Sequence, residues 1–172
     1  IANVLMVAVV VILASIISVF ALGFTGDANQ PGPVVSQSSG ELVRDISGGN
    51  DQIVRLTHVA GDNLDVSTLE IAVDATDACG KQSRLVNLPD NAVGSTKASE
   101  LESIEGADIF DDDSPDGGQL DTSADGTWSA GETATFRLAS TECKLNGGDA
   151  ITVRVVHTPT NSVVIEQTLT AT

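Results

Sequence analysis

Residues 150–170 read AITVRVVHTPTNSVVIEQTLT. Ile151, Val153, Val155 and His157 alternate with Thr152, Arg154, Val156 and Thr158, and a period of two puts the first set on one face of a strand. TPTNS at 158–162 is built from turn residues, and Val163, Ile165 and Leu169 are expected to share one face of the segment that follows. Two strands, 150–158 and 162–170, joined so closely predict an antiparallel hairpin.

The same rhythm recurs upstream. Leu69, Ile71, Val73 and Ala75 alternate with Glu70, Ala72 and Asp74, and Ala134, Phe136 and Leu138 alternate with Thr135 and Arg137. Segments 41–46, 52–59, 83–88 and 127–129 are further strand candidates. SGGND at 47–51, AGDN at 60–63, SPDGG at 114–118 and NGGD at 146–149 punctuate them. No helical periodicity of useful length appears in this part. About seven short strands with such punctuation argue for a β-sandwich or small barrel, and an all-β sandwich, immunoglobulin-like or similar, is the expectation for 41–172.

The other end of the chain is different in kind. From Ile1 to Gly26 there is no charged residue, and Asn3, Ser15 and Ser18 are the only strongly polar side chains before Phe24. A helix over residues 1–24 spans roughly 36 Å, enough for a bilayer core of about 30 Å. A signal peptide would carry a basic flank and a shorter apolar run, so a retained helix over 1–26 is expected. Being apolar on every side, it suits lipid or a bundle of its own copies, which makes it a membrane anchor or a filament core. TGDANQPGPVVSQSSG after Phe24 carries Pro31, Pro33 and several glycines, and 27–40 is expected to be an extended linker. The predicted class is therefore α+β: a long apolar N-terminal helix followed by the β head.

Charge excludes one class of partner. With 24 acidic and 8 basic side chains the net charge is −16, and nucleic-acid binding needs a Lys/Arg footprint that is missing here. Carboxylates are spread over the whole head and the lysines reduce to Lys81, Lys97 and Lys144, the surface expected of a protein working in high salt, where screening offsets self-repulsion. Asp108, Asp111, Asp112, Asp113 and Asp116 make the densest cluster, and Asp111, Asp112, Asp113 and Asp116 are weak candidates for a cation site, but the order of an EF-hand loop is absent and a solvated acidic loop is favoured. No cofactor motif or catalytic constellation occurs, so an enzyme is not expected. His58 and His157 fall on strand candidates, where a packed structural role is favoured, and Trp128 is expected to anchor the core rather than stack on a ligand. Cys79 and Cys143 are the only cysteines. Metal sites usually need more ligands, and a disulfide of an exported chain is preferred over two buried thiols; a closed loop of that length contributes on the order of 4 kcal/mol.

IANVLMVAVVVILAS at 1–15 resembles the N-terminal helix of haloarchaeal type IV pilins, whose apolar I-G-V-I-L-M-V-A-type block follows a short leader. VRVVHTPTNSVVIEQTL at 153–169 is similar to that family's closing hairpin, and WSAGET at 128–133 to its W-S-A-G-[DE]-T element. Residues 76–126 match nothing in it. Asn3 stands where an apolar residue is common, and the family's few residues before the Ile, such as S-P-V, are missing, which leaves the mature N-terminus open. The resemblance implies a major pilin of an extracellular filament serving adhesion and biofilm formation, membrane-inserted before assembly. It also implies a prepilin peptidase, an assembly ATPase and a membrane platform as partners in biogenesis, with further copies of the chain as the lasting partner. Ile1, Val4, Leu5, Val7, Val11, Ala14, Ile17, Phe20 and Ala21 are the expected polymerisation surface. The alternative is a membrane-tethered extracellular binding module that never polymerises and uses 76–126 for recognition.

Overall fold

A computed structural model of the chain describes residues 31–44, 51–90, 104–111, 118–121 and 124–172. The expected helix 1–26, the first residues of the expected linker, and Asp112, Asp113 and Asp116 lie outside the described residues. Among the described residues no helix is long and apolar enough to cross a membrane.

Among the described residues ten strands carry the fold: β1 Val35–Arg44, β2 Asp51–Gly61, β3 Leu64–Asp65, β4 Leu69–Ala75, β5 Lys81–Leu85, β6 Ile104–Gly106, β7 Thr127–Trp128, β8 Thr133–Ala139, β9 Ala150–His157 and β10 Ser162–Thr170. They form a three-stranded sheet in the order β1-β2-β8, a five-stranded sheet β10-β9-β4-β5-β6, and the short pair β3-β7. The alternating residues do what their period requires: Leu69, Ile71, Val73 and Ala75 of β4, Ala134, Phe136 and Leu138 of β8, and Ile151, Val153 and Val155 of β9 are buried. Together with Leu42, Val54 and Leu56 from the smaller sheet and Leu85, Ile165 and Leu169 from the larger, they make one core. Few aromatics help. Trp128 is fully buried, with its Nε1–H on the Glu132 carbonyl at 3.0 Å and its ring at a T-shaped 6.3 Å from His58, and Phe110 meets Phe136 edge-on.

Four expectations are corrected. Residues 35–40 were assigned to the linker, yet they are the first part of β1; a strand at the margin of a sheet needs no apolar alternation, and in β1 only Leu42 is buried. Val163 does not share the inward face of Ile165 and Leu169. A register shift between Val163 and Ile165 opposes two residues of β10 to one of β9, and the bulge turns Val163 outward. The strand expected at 83–88 begins at Lys81 and stops at Leu85, short of Asn87 with φ 55°. The single helical turn Thr76–Cys79 and the strands β3 and β6 were not expected at all.

Both margins where the sheets meet are covered. On one side β1 runs beside β10: Leu42 bridges Ala171 in parallel, the Thr172 N–H donates to the Leu42 carbonyl at 3.2 Å, and the Arg44 N–H donates to the Thr172 carbonyl at 3.3 Å. On the other side the chain leaves β6 and crosses to β8. The Ala107 N–H donates to the Gln82 carbonyl at 3.0 Å, the Ala139 N–H to the Ile109 carbonyl at 2.9 Å, and the Asp111 N–H to the Arg137 carbonyl at 3.1 Å. Buried Ile109, Phe110 and Leu120 fix this crossing to the core. The described part of 76–126 thus covers strand edges that would otherwise offer unpaired backbone groups to other chains.

Candidate functional site

The strand directions give the head two ends. At one end lie the start of β1, the β2–β3 turn and the β9–β10 turn; at the other lie the end of β1, the Thr76–Cys79 turn and the loop after β8.

The first end is where residues 31–37 join the head. Asp62, in the AGDN turn, exchanges two hydrogen bonds with Val34: its carboxylate accepts the Val34 N–H at 3.0 Å, and its own N–H donates to the Val34 carbonyl at 2.9 Å. The Ser36 hydroxyl donates to the Ala60 carbonyl at 3.0 Å. Gly61, with φ 138°, lies so close under the Val34 carbonyl that a Cβ there would collide with it, so only glycine fits this approach. On the other side a Cβ at Gly32 would stand 2.8 Å from Thr160 Oγ1 and 2.9 Å from Ser162 Oγ. That turn is itself fastened: His157 Nδ1 and Thr160 Oγ1 share a hydrogen bond at 2.7 Å, Thr160 and Ser162 share another at 2.7 Å, and the Thr158 N–H donates to the Thr68 carbonyl at 2.9 Å. Gln167 Nε2 donates to Ser38 Oγ at 2.9 Å and to the Ser38 carbonyl at 3.2 Å, closing the gap between β10 and β1.

The opposite end is held covalently. Cys79 and Cys143 form a disulfide with Cα atoms 5.5 Å apart, which ties the turn after β4 in the larger sheet to the loop after β8 in the smaller. Beside it Gln52, only 3 % exposed, works as a piece of extra backbone: its Nε2 donates to the Cys143 carbonyl at 2.7 Å, and its Oε1 accepts the Leu145 N–H at 2.6 Å. Lys81 and Glu142 pair across the same place at 3.2 Å.

Neither Asp62, Gln52 nor Gln167 was singled out in the sequence. A signal existed for two of them. Gln52 is in phase with inward Val54, Leu56 and His58, and Gln167 with Ile165 and Leu169; a polar side chain on an inward face must find partners.

Other expected residues fall elsewhere. Asp111 is placed against β8 through its N–H on the Arg137 carbonyl, while Asp112, Asp113 and Asp116 are outside the described residues. The expected polymerisation surface, Ile1 to Ala21, is outside them too. On the outer face of the five-stranded sheet, Arg84 and Arg154 stand opposite Ala72 from either side and line a groove of about 490 Å³ with Asp74, Gln82 and Glu105. Both guanidinium groups are engaged, Arg84 with Glu70 at 3.1 Å and Arg154 with Glu166 at 2.7 Å. Asp74 accepts the Thr76 hydroxyl at 2.7 Å and the Thr76 N–H at 3.1 Å, and these bonds hold its carboxyl below the ordinary aspartate range, with Gln82 and the nearby Arg154 acting the same way. A groove whose cations are already neutralised has little to offer an anion.

No curated protein matches the chain. Its first 37 residues do match a family, and the match runs through the whole apolar segment and ends three residues into β1, at the joint that Asp62, Gly61 and Ser162 build. That family is described as archaeal type IV pilin, N-terminal, and the match over residues 1–37 supports a pilin subunit.

Proposed function

We propose that the chain is the major subunit of an extracellular archaeal type IV pilus and that it polymerises through residues 1–26. The family match over residues 1–37 carries this reading. Ile1, Val4, Leu5, Val7, Val11, Ala14, Ile17, Phe20 and Ala21 belong to a segment apolar on all sides, which needs apolar neighbours on all sides. Lipid supplies them before assembly and copies of the chain supply them afterwards. One apolar surround replaces the other at little hydrophobic cost, so an assembly ATPase acting at a membrane platform can drive the transfer after a prepilin peptidase has removed a leader. The head then faces the medium, as an immunoglobulin-like sandwich: the orders β1-β2-β8 and β10-β9-β4-β5-β6 correspond to A-B-E and G-F-C-C′-C″ of such domains. A disulfide and a net charge of −16 suit an exported head in a saline medium, and we assign the filament a haloarchaeal setting and a role in adhesion and biofilm formation.

Electron microscopy of material sheared from cells tests the reading. Filaments that disappear when Ala14→Arg buries an unpaired charge in the bundle are expected. A wild-type chain that stays in the membrane as separate copies would establish the tethered binding module instead.

A further inference from the structure

Among the described residues only three large apolar side chains are exposed: Val34 at 63 %, Val59 at 40 % and Val163 at 50 %. All three sit at the end of the head where residues 31–37 join it. Val34 precedes β1 and is bonded to Asp62; Val59 lies three residues before Asp62; Val163 follows Ser162, which touches Gly32. They belong to β2, the lead into β1, and β10, which run side by side. Backbone irregularities accompany two of them. The bulge in β10 turns Val163 out of the core and sets it opposite half-buried Val156, and the register shift between β1 and β2 leaves Val59 with no partner on β1. The bulge in β10 re-aims Val163, Val59 faces outward by ordinary alternation with buried His58, and both stand at the same end.

From these observations we infer that this valine rim is a docking surface for the apolar N-terminal segment of a second copy of the chain. The inference rests on the filament reading and adds a partner surface on the head. The occupant follows from what is near and what is missing. The 26-residue charge-free stretch ends five residues before Gly32 begins the head, so polymerisation concentrates copies of it at this end. Lipid is the poorer occupant, because surfaces that settle into a membrane interface carry Trp, Phe or basic residues, and this rim has valines beside Asp62. Three partly exposed valines cover far less than the roughly 1,000 Å² of a lasting interface. The rim therefore adds to a bundle of helices that already forms and does not dimerise heads alone.

Two full-length chains co-expressed with the assembly machinery test it, one carrying only Val163→Cys and the other only Ala21→Cys. A disulfide between them requires the head of one copy to meet the segment of another. Sheared filaments of the mixture are expected to yield a covalent dimer on a non-reducing gel that contains one of each chain. A chain bearing Val34→Ser, Val59→Ser and Val163→Ser, all at exposed positions, is expected to keep its buried-Trp128 fluorescence and to give roughly tenfold fewer filaments. Filaments that form at full yield from the triple variant, or filaments of the mixture that yield no covalent dimer of the two chains, overturn the docking surface and leave the filament reading standing. If the wild-type chain makes no filament, the filament reading fails first, and this one with it.

Discussion

The two ends of the head are fastened by different chemistry. At the end beside Arg44 and Thr76, a disulfide, a buried glutamine and an ion pair bind the loop 140–149 to both sheets. At the end that receives residues 31–37 there is no covalent link among the described residues; Asp62, Ser36, Gln167 and the Thr158–Ser162 turn hold the chain by hydrogen bonds and close backbone approach. The loop at the disulfide end has few apolar anchors beyond Cys143 and Leu145, so a cross-link supplies the order that burial does not. The other end continues straight into a long strand, and β1 keeps it in line by nine register pairs with β2.

The sharpest test of this contrast is to remove the disulfide. Cys79→Ser with Cys143→Ser is expected to cost on the order of 4 kcal/mol in denaturant melts, the chain-entropy figure for so long a loop, and to raise amide exchange at Cys143 and Leu145 well before Val34. Equal loss of protection at both ends would show that they form one cooperative unit. Next comes Gln52→Leu, which leaves the Cys143 carbonyl and the Leu145 N–H buried without a partner and is expected to cost about 2–3 kcal/mol. In a chain already lacking the disulfide the same change should cost less, because both devices hold the same loop; strict additivity would mean that they act separately. Asp62→Ala belongs to the other end and should cost about 1 kcal/mol, with exchange accelerating at Val34 while Leu145 stays protected.

The smallest effect concerns Asp74. Its folded-state pKa lies below the ordinary value because Thr76 bonds the charged form, so its stabilising contribution is complete above about pH 4, where the unfolded chain titrates, and disappears as pH falls through the folded value. Asp74→Ala should therefore lower the melting temperature slightly at pH 7 and not at all at strongly acid pH. A difference that persists into strong acid would assign the effect to packing.

The parts of the fold that could be read in advance are those where local period and burial agree. β4, β8 and β9 each alternate without a fault and were expected with their faces correct. β1 escaped because SQSSG has no apolar alternation, its place being fixed by neighbours on both sides. Val163 misled because a bulge is a property of two strands, and nothing within VVIEQ shows which of its residues will go unpaired. The crossing at 107–111 shows no strand period, because the buried Ile109 and Phe110 that anchor it are adjacent and lie between Asp108 and Asp111 at the edge of an acidic cluster. The joint was harder still: Asp62 and Gly61 read as an ordinary turn, and only their approach to Val34, 28 positions away, gives them a task.

The position of β1 has a mechanical consequence. Tension applied to the head through residues 32–37 along the axis of this strand meets its whole ladder. Its hydrogen bonds to β2 on one side, and those of Leu42 and Arg44 to Thr172 on the other, lie across that axis. They are loaded in shear, so they share the pull and must fail together, whereas a strand peeled from its end surrenders its bonds one at a time. The disulfide, at the far end of β1, stands outside the first stretch of this load path, and the joint can yield and recover without breaking a covalent bond.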